Sequence, residues 1–113
     1  MSLTARIDLD AIAHNTRLLK RQAGDANLVC IVKADAYNHG VARCVPVMEA
    51  NGADAFGVAT LAEAREVRAL TRLPVMCWLW DPSDDIPEGI ELAAPTMEHL
   101  IRLIDAPFTP TTY

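Results

Sequence analysis

A lysine set directly after an apolar run is the first group in this chain with a chemical character of its own. Leu28-Val29-Cys30-Ile31-Val32 leads into Lys33, and Ala34-Asp35-Ala36-Tyr37-Asn38-His39-Gly40 follows. An ammonium group half-buried at the tip of such a run loses hydration, which disfavours its charged form and frees the amine as a nucleophile. That is the profile of a lysine that forms a Schiff base with a carbonyl compound. Taken alone, Lys33 reads equally as a surface lysine closing a strand. Tyr37 adds a phenol that a turn can fold back beside the amine, where it can hydrogen-bond a phosphate or a carbonyl. It also suits an aromatic that packs the loop. Asn38 tolerates a left-handed backbone position better than most residues. Gly40 suits a tight turn, His39 a partly exposed neighbour of it, and Asp35 a turn or cap.

The elements that must position these groups alternate. Arg6-Ile7-Asp8-Leu9 alternates polar and apolar, which predicts a short half-buried strand. Asp10 is the expected cap of a helix over 10–22 that carries Ala11, Ile12, Leu18 and Leu19 at helical spacing, and Gly24 ends it. A strand over 27–32 and a loop over 34–40 come next. The second helix spans 41–50. Pro46 is awkward inside it, at about 3 kcal/mol in a helix interior, so a later start or a kink is expected. Residues 55–59 form a strand. Thr60 caps a third helix through Leu70, and Glu63 completes a capping box. A strand over 75–79, a solvated loop over 81–85, a brief strand over 90–93 and a helix from Thr96-Met97 to Ile104 complete the pattern.

Strands alternating with amphipathic helices imply α/β architecture around a parallel sheet. Both a doubly wound sheet and part of a (β/α)8 barrel fit. A whole barrel takes about 250 residues, so 113 supply at most about half of one. Residues 1–105 carry the pattern. Residues 106–113, with Pro107 and Pro110, have no periodicity and read as an irregular tail, which suits a truncated or frame-shifted product and also a natural domain end.

Composition narrows the class further. The chain is 51% hydrophobic and 22% charged, with a net charge of -5. That is globular, and unlike a duplex nucleic-acid binder, which needs clustered Lys and Arg. No apolar run approaches the roughly 20 residues of a membrane span, and no signal peptide is visible, so a cytoplasmic location is expected. Cys30, Cys44 and Cys77 are odd in number and far apart. They imply reduced thiols, with Cys30 and Cys77 in strand cores, and no metal site.

The run from Val32 to Gly40 closely resembles the cofactor-lysine motif of bacterial alanine racemases, fold-type III enzymes that use pyridoxal 5′-phosphate (PLP). The usual family form has glycine where Asn38 stands. Ile7-Asp8-Leu9-Asp10-Ala11-Ile12-Ala13-His14-Asn15 is similar to the family's opening, and residues 53–64 and 74–82 also match it. The similarity runs to about Asp105.

The resemblance implies an amino-terminal part of a PLP-binding TIM-type barrel, with about four βα units and no carboxyl-terminal β-domain. It makes Lys33 the residue that forms the imine with PLP and then one of two acid/base groups at the substrate α-carbon. Tyr37 would hydrogen-bond the cofactor phosphate. Trp78, at the end of the strand over 75–79, would line the cofactor pocket, although its residue type also suits a core or rim position. Trp80 reads as a loop or interface aromatic. In the family the opposite-face group is a tyrosine from the β-domain of the partner subunit in a homodimer. Tyr113 matches nothing in the family.

A whole family member would interconvert L- and D-alanine and supply D-alanine for cell-wall peptidoglycan, while this chain alone would be inactive. A second reading is a non-catalytic PLP-binding protein of the same barrel superfamily, concerned with cofactor homeostasis. The runs Ile7–Asp10 and Lys33–Tyr37 favour the racemase.

Overall fold

The structure, a computed structural model, describes residues 1–106. The expected tail, with Tyr113, falls outside them except for Ala106. Nine elements follow one another: α1 (Leu9–Ala23), β1 (Val29–Ile31), α2 (Lys33–Tyr37), α3 (Val41–Ala50), β2 (Ala55–Val58), α4 (Leu61–Arg68), β3 (Val75–Cys77), β4 (Glu91–Leu92) and α5 (Met97–Ile104).

The expected strand over 6–9 is absent. This segment pairs with no strand among the described residues, and an extended segment without a ladder partner is not a strand. Its place is taken by an earlier helix start. Asp8, not Asp10, is the N-cap: its backbone is extended and its carboxylate accepts the Ala11 N–H at 3.1 Å. Gly24 closes α1 as expected, at φ 61°. Leu18 and Leu19 are exposed rather than buried. α1 packs on α3, and its inward residues are Ile12 and Thr16. α3 runs from Val41 to Ala50 through Pro46, with no later start. The strands are shorter at their ends than the apolar runs suggest.

All four strands are parallel and lie in the order β1-β2-β3-β4. A doubly wound sheet reverses direction at a switch point, and helices cover both its faces. Here each strand pairs with the next in sequence. The alternation within each strand separates two faces. Phe56, Val58, Val75, Cys77 and Leu92 point to one face and are fully buried. They pack against Cys44 and Val45 of α3 and Leu61, Ala64 and Val67 of α4. The register places Val29, Ile31, Ala55, Gly57, Met76 and Trp78 on the other face. Sequential parallel order with helices on one side is barrel geometry, and this second face is the barrel interior. The chain is thus of the α/β, TIM-type class.

Trp80 corrects an expectation. It is buried, not a loop or interface aromatic: its Nε1–H donates to the Ala93 carbonyl at 2.8 Å and His99 packs edge-on at 4.7 Å. The solvated loop holds, with Asp81 accepting from the Ser83 N–H and hydroxyl at 2.8 and 2.6 Å. Cys44 and Cys77 are buried, Cys30 is half-buried, and all three are free. Burial pushes the Cys77 thiol up to about 11.

Candidate active site

The carboxyl ends of parallel strands are where a barrel gathers functional groups, because loops from separate strands converge there on a rigid rim. Lys33 stands two residues beyond the end of β1, the Ala59-Thr60 turn follows β2, and Trp78 follows β3. All three lie on one edge of the sheet.

The chain leaves β1 through an uncommon turn. Ala34, Asp35, Ala36, Tyr37 and Asn38 all carry positive φ, from 51° to 66°. The left-handed position expected for Asn38 is there, at φ 66° and ψ 14°, but four residues before it share it. α2 is therefore left-handed from Ala34 onward. Each non-glycine residue in this region costs about 1–2 kcal/mol, so the five together cost on the order of 5 kcal/mol or more. Nothing in Ala-Asp-Ala-Tyr signals this; only Asn38 and Gly40 do.

Several interactions hold the turn. Within it, the Ala36 N–H donates to Val32 at 3.0 Å, Asn38 to Ala34 at 2.9 Å and Gly40 to Asp35 at 3.0 Å. The Ala36 methyl is buried in the core. An Asp35 carboxylate oxygen accepts the Val41 N–H at 2.9 Å, which ties the turn to the start of α3. Glu63 Oε2 accepts the Ala34 N–H at 2.6 Å from across the β2 loop. Strain of this kind persists only where the surroundings over-determine it, and it concentrates at functional sites.

The turn brings two of the sequence candidates together: Lys33 Nζ lies 5.8 Å from the centroid of the Tyr37 ring, in cation–π range. Tyr37 is 54% exposed and Lys33 is exposed as well. The half-buried lysine inferred from the apolar run is thus corrected. The run does end at the lysine, but the interior face beside it has no second layer of described residues to exclude water.

Trp78 comes from the third strand and reaches back toward the first. A Cβ placed on Gly57 would lie 2.3 Å from Trp78 Cη2 and 2.9 Å from Ile31 Cδ1. The outer edge of the indole's six-membered ring therefore lies against the glycine of β2 on the interior face, beside the Ile31 side chain. Gly57 is what makes that approach possible. Trp78 is partly exposed, and of the two tryptophans it alone faces the interior. His39 is turned aside, with Nδ1 against the Ala36 carbonyl at 2.9 Å.

Glu63 was legible only as half of a capping box. The box is there: Thr60 Oγ1 accepts the Glu63 N–H at 3.2 Å and Glu63 Oε1 accepts the Thr60 N–H at 2.9 Å. Oε1 also accepts the Ala59 N–H at 3.0 Å. Desolvation pushes this carboxyl up, but the N–H donors of Ala34, Thr60 and Ala59 outweigh it and hold it below its ordinary value. Its reach to Ala34 joins residues 29 apart, and no local pattern encodes that.

Comparison with known proteins bears on the family and the fold. The family model described as alanine racemase, N-terminal domain, matches residues 7–107. The alanine racemase of Corynebacterium efficiens is 57% identical over 112 residues, which cover 95% of this chain and 30% of that protein. The crystal structure of alanine racemase from Corynebacterium glutamicum superposes with a TM-score of 0.90 at 52% identity, over 96% of this chain and 33% of that one. An alanine racemase structure from Bartonella henselae, with covalently bound pyridoxal phosphate, matches at a TM-score of 0.63 and 28% identity over 77% of this chain and 27% of that one. The chain thus spans about a third or less of the length of the relatives it matches.

Proposed function

Because this chain belongs to the alanine racemase family, by its N-terminal domain, we propose that it carries the cofactor-anchoring part of a PLP-dependent enzyme that interconverts L- and D-alanine. One observation carries the reading: a primary amine held 5.8 Å from the centre of a phenol ring by a strained turn at the carboxyl end of a barrel strand. The residues present fit the cofactor. An exposed amine suits its aldehyde, a phenol suits its phosphate, and the Trp78 indole lines the interior face at Gly57 and Ile31.

When bound, PLP supplies an electron sink for the charge left at the substrate α-carbon. The chain's residues do the rest of the work on one face. Lys33 anchors the cofactor and moves the α-proton at Nζ. Tyr37 holds the phosphate through its hydroxyl, and the left-handed turn fixes the two relative to each other. Trp78 limits water on the interior side. Racemisation needs a second acid/base group on the opposite face. The described residues offer none there, so we propose that the 113-residue chain does not racemise alanine by itself. The whole enzyme would be a homodimer acting in D-alanine supply for the cell wall. Relatives named alanine racemase at high identity support this over a cofactor-homeostasis role. Among the described residues no helix is long and apolar enough to cross a membrane.

The test is to incubate the protein with PLP, reduce with borohydride and map the modified peptide by mass spectrometry. The cofactor mass should sit on Lys33 and be lost in Lys33→Ala. Labelling that falls on other lysines, or is equal in the variant, would overturn the assignment.

A further inference from the structure

A capping box uses one oxygen of its Glu. In Glu63 that oxygen is Oε1, which serves the Thr60 and Ala59 amides at the start of its own helix. Oε2 is surplus to the box, and it takes the Ala34 N–H at 2.6 Å. One carboxylate thus bridges the loops after two neighbouring strands. The bond falls on the amide of the peptide that joins Lys33 to the first left-handed residue, where φ turns to 51°.

With the chain on the N side of Lys33 held through the Val32 N–H bond to Gly57, the plane of that peptide fixes the other side, and the two together set the direction in which the Lys33 side chain leaves the backbone. The bonds inside the turn hold its shape, and the Asp35 bond to Val41 ties its end to α3. Glu63 ties its beginning to the β2 loop. All three of its partners are N–H donors, so the carboxylate must accept at both oxygens. A group with one accepting end cannot replace it.

Resting on the cofactor-anchor reading above, we propose that Glu63 is a positioning residue for Lys33: through the Ala34 amide it fixes the root of the lysine and holds the left-handed turn against relaxation. Its role as a helix cap is separable from this, because the two use different oxygens.

Glu63→Gln separates them. Glutamine keeps one accepting oxygen, which suits the capping box, but the other end becomes an NH2 donor that faces the Ala34 N–H. Two measurements on the full chain read the result. Amide hydrogen exchange across 34–40 reports the turn without cofactor, and borohydride trapping with PLP reports the lysine. In Glu63→Gln, exchange across 34–40 should rise about tenfold or more, the scale of losing a hydrogen bond to a charged group. The apparent affinity for trapping PLP at Lys33 should weaken several-fold, while α4 amides stay near wild type and the melting temperature falls less than in Glu63→Ala. Glu63→Ala removes both roles and should loosen α4 as well.

Unchanged exchange across 34–40 in Glu63→Gln would overturn the proposal. So would faster exchange with trapping at Lys33 undiminished, since the turn would then not govern the lysine. If α4 loosens in Glu63→Gln as much as in Glu63→Ala, Glu63 is a cap and the positioning role is refuted. A wild-type protein that takes no adduct at Lys33 sinks the anchor reading itself and the positioning role with it, an outcome distinct from equal trapping by both proteins.

Discussion

The contact between Trp78 and Gly57 predicts a defined response to a single methyl group. Gly57→Ala puts a Cβ 2.3 Å from Trp78 Cη2 and 3.0 Å from Cζ3, with Ile31 Cδ1 at 2.9 Å. Carbon atoms rest about 3.5–4.0 Å apart, so the closest pair must separate by about 1.2 Å or more. Overpacking of this kind costs about 1–3 kcal/mol. Alanine recovers about 0.5–1 kcal/mol of that by restricting the unfolded chain. The net expectation is about 0–2.5 kcal/mol of destabilisation, centred near about 1 kcal/mol. At about 4–8 °C per kcal/mol for a domain near this size, the central value lowers the melting temperature by roughly 4–8 °C.

The indole is partly exposed and has somewhere to go, so it should swing off the sheet. The emission of Trp78, read in a Trp80→Phe background, then shifts toward that of a solvated indole. A double-mutant cycle isolates the cause: in a Trp78→Ala background, Gly57→Ala should cost only what the Ile31 Cδ1 contact at 2.9 Å leaves, giving a coupling of about 0.5 kcal/mol or more. Melting at or above wild type with Trp78 emission unchanged would refute the close contact of the ring with Gly57. Equal destabilisation in both backgrounds would refute Trp78 as the clashing partner.

Two further outcomes follow from groups away from the rim. Trp80→Phe leaves the Ala93 carbonyl without the indole N–H that meets it at 2.8 Å, so it should lower stability by about 1–3 kcal/mol by denaturant unfolding. Asp54 is held below its ordinary value first by the Leu28 N–H and then by Lys20, 2.7 Å away. A carboxyl with a depressed folded pKa adds stability that is full above its unfolded value, near about 3.9, and is lost as pH falls through the folded one. Below about pH 4, acid titration of stability should therefore be shallower in Asp54→Asn than in wild type.

Much of the fold was legible because local forces made it. The periods of the apolar residues, the Thr60 cap, the Glu63 capping box and the Gly24 stop all act within a few residues. The site was legible in part. Lys33 and Tyr37 stand out by type and spacing, and the resemblance of Val32–Gly40 to the racemase lysine motif added Trp78. Three things were not readable. The left-handed path of residues 34–38 is unfavourable for Ala, Asp and Tyr locally, so no propensity announces it. Trp80 seemed a loop aromatic because its acceptor, Ala93, lies 13 residues on. The strand over 6–9 was misread because a two-residue period says nothing about whether a partner strand is present.

By itself, then, the sequence determined the identity of the chemical groups, the alternation of strands and helices from β1 onward, and the family, since these depend on residue type and near neighbours. Tertiary structure decided the sheet order and which face is interior, because strand pairing joins residues far apart in the chain. It also decided that Lys33 is exposed and that Trp78 lies on Gly57. Above all it decided that Glu63, a helix cap by local pattern, spends its second oxygen on the amide beside the lysine, because only the packed sheet brings the loops after β1 and β2 within one carboxylate's reach.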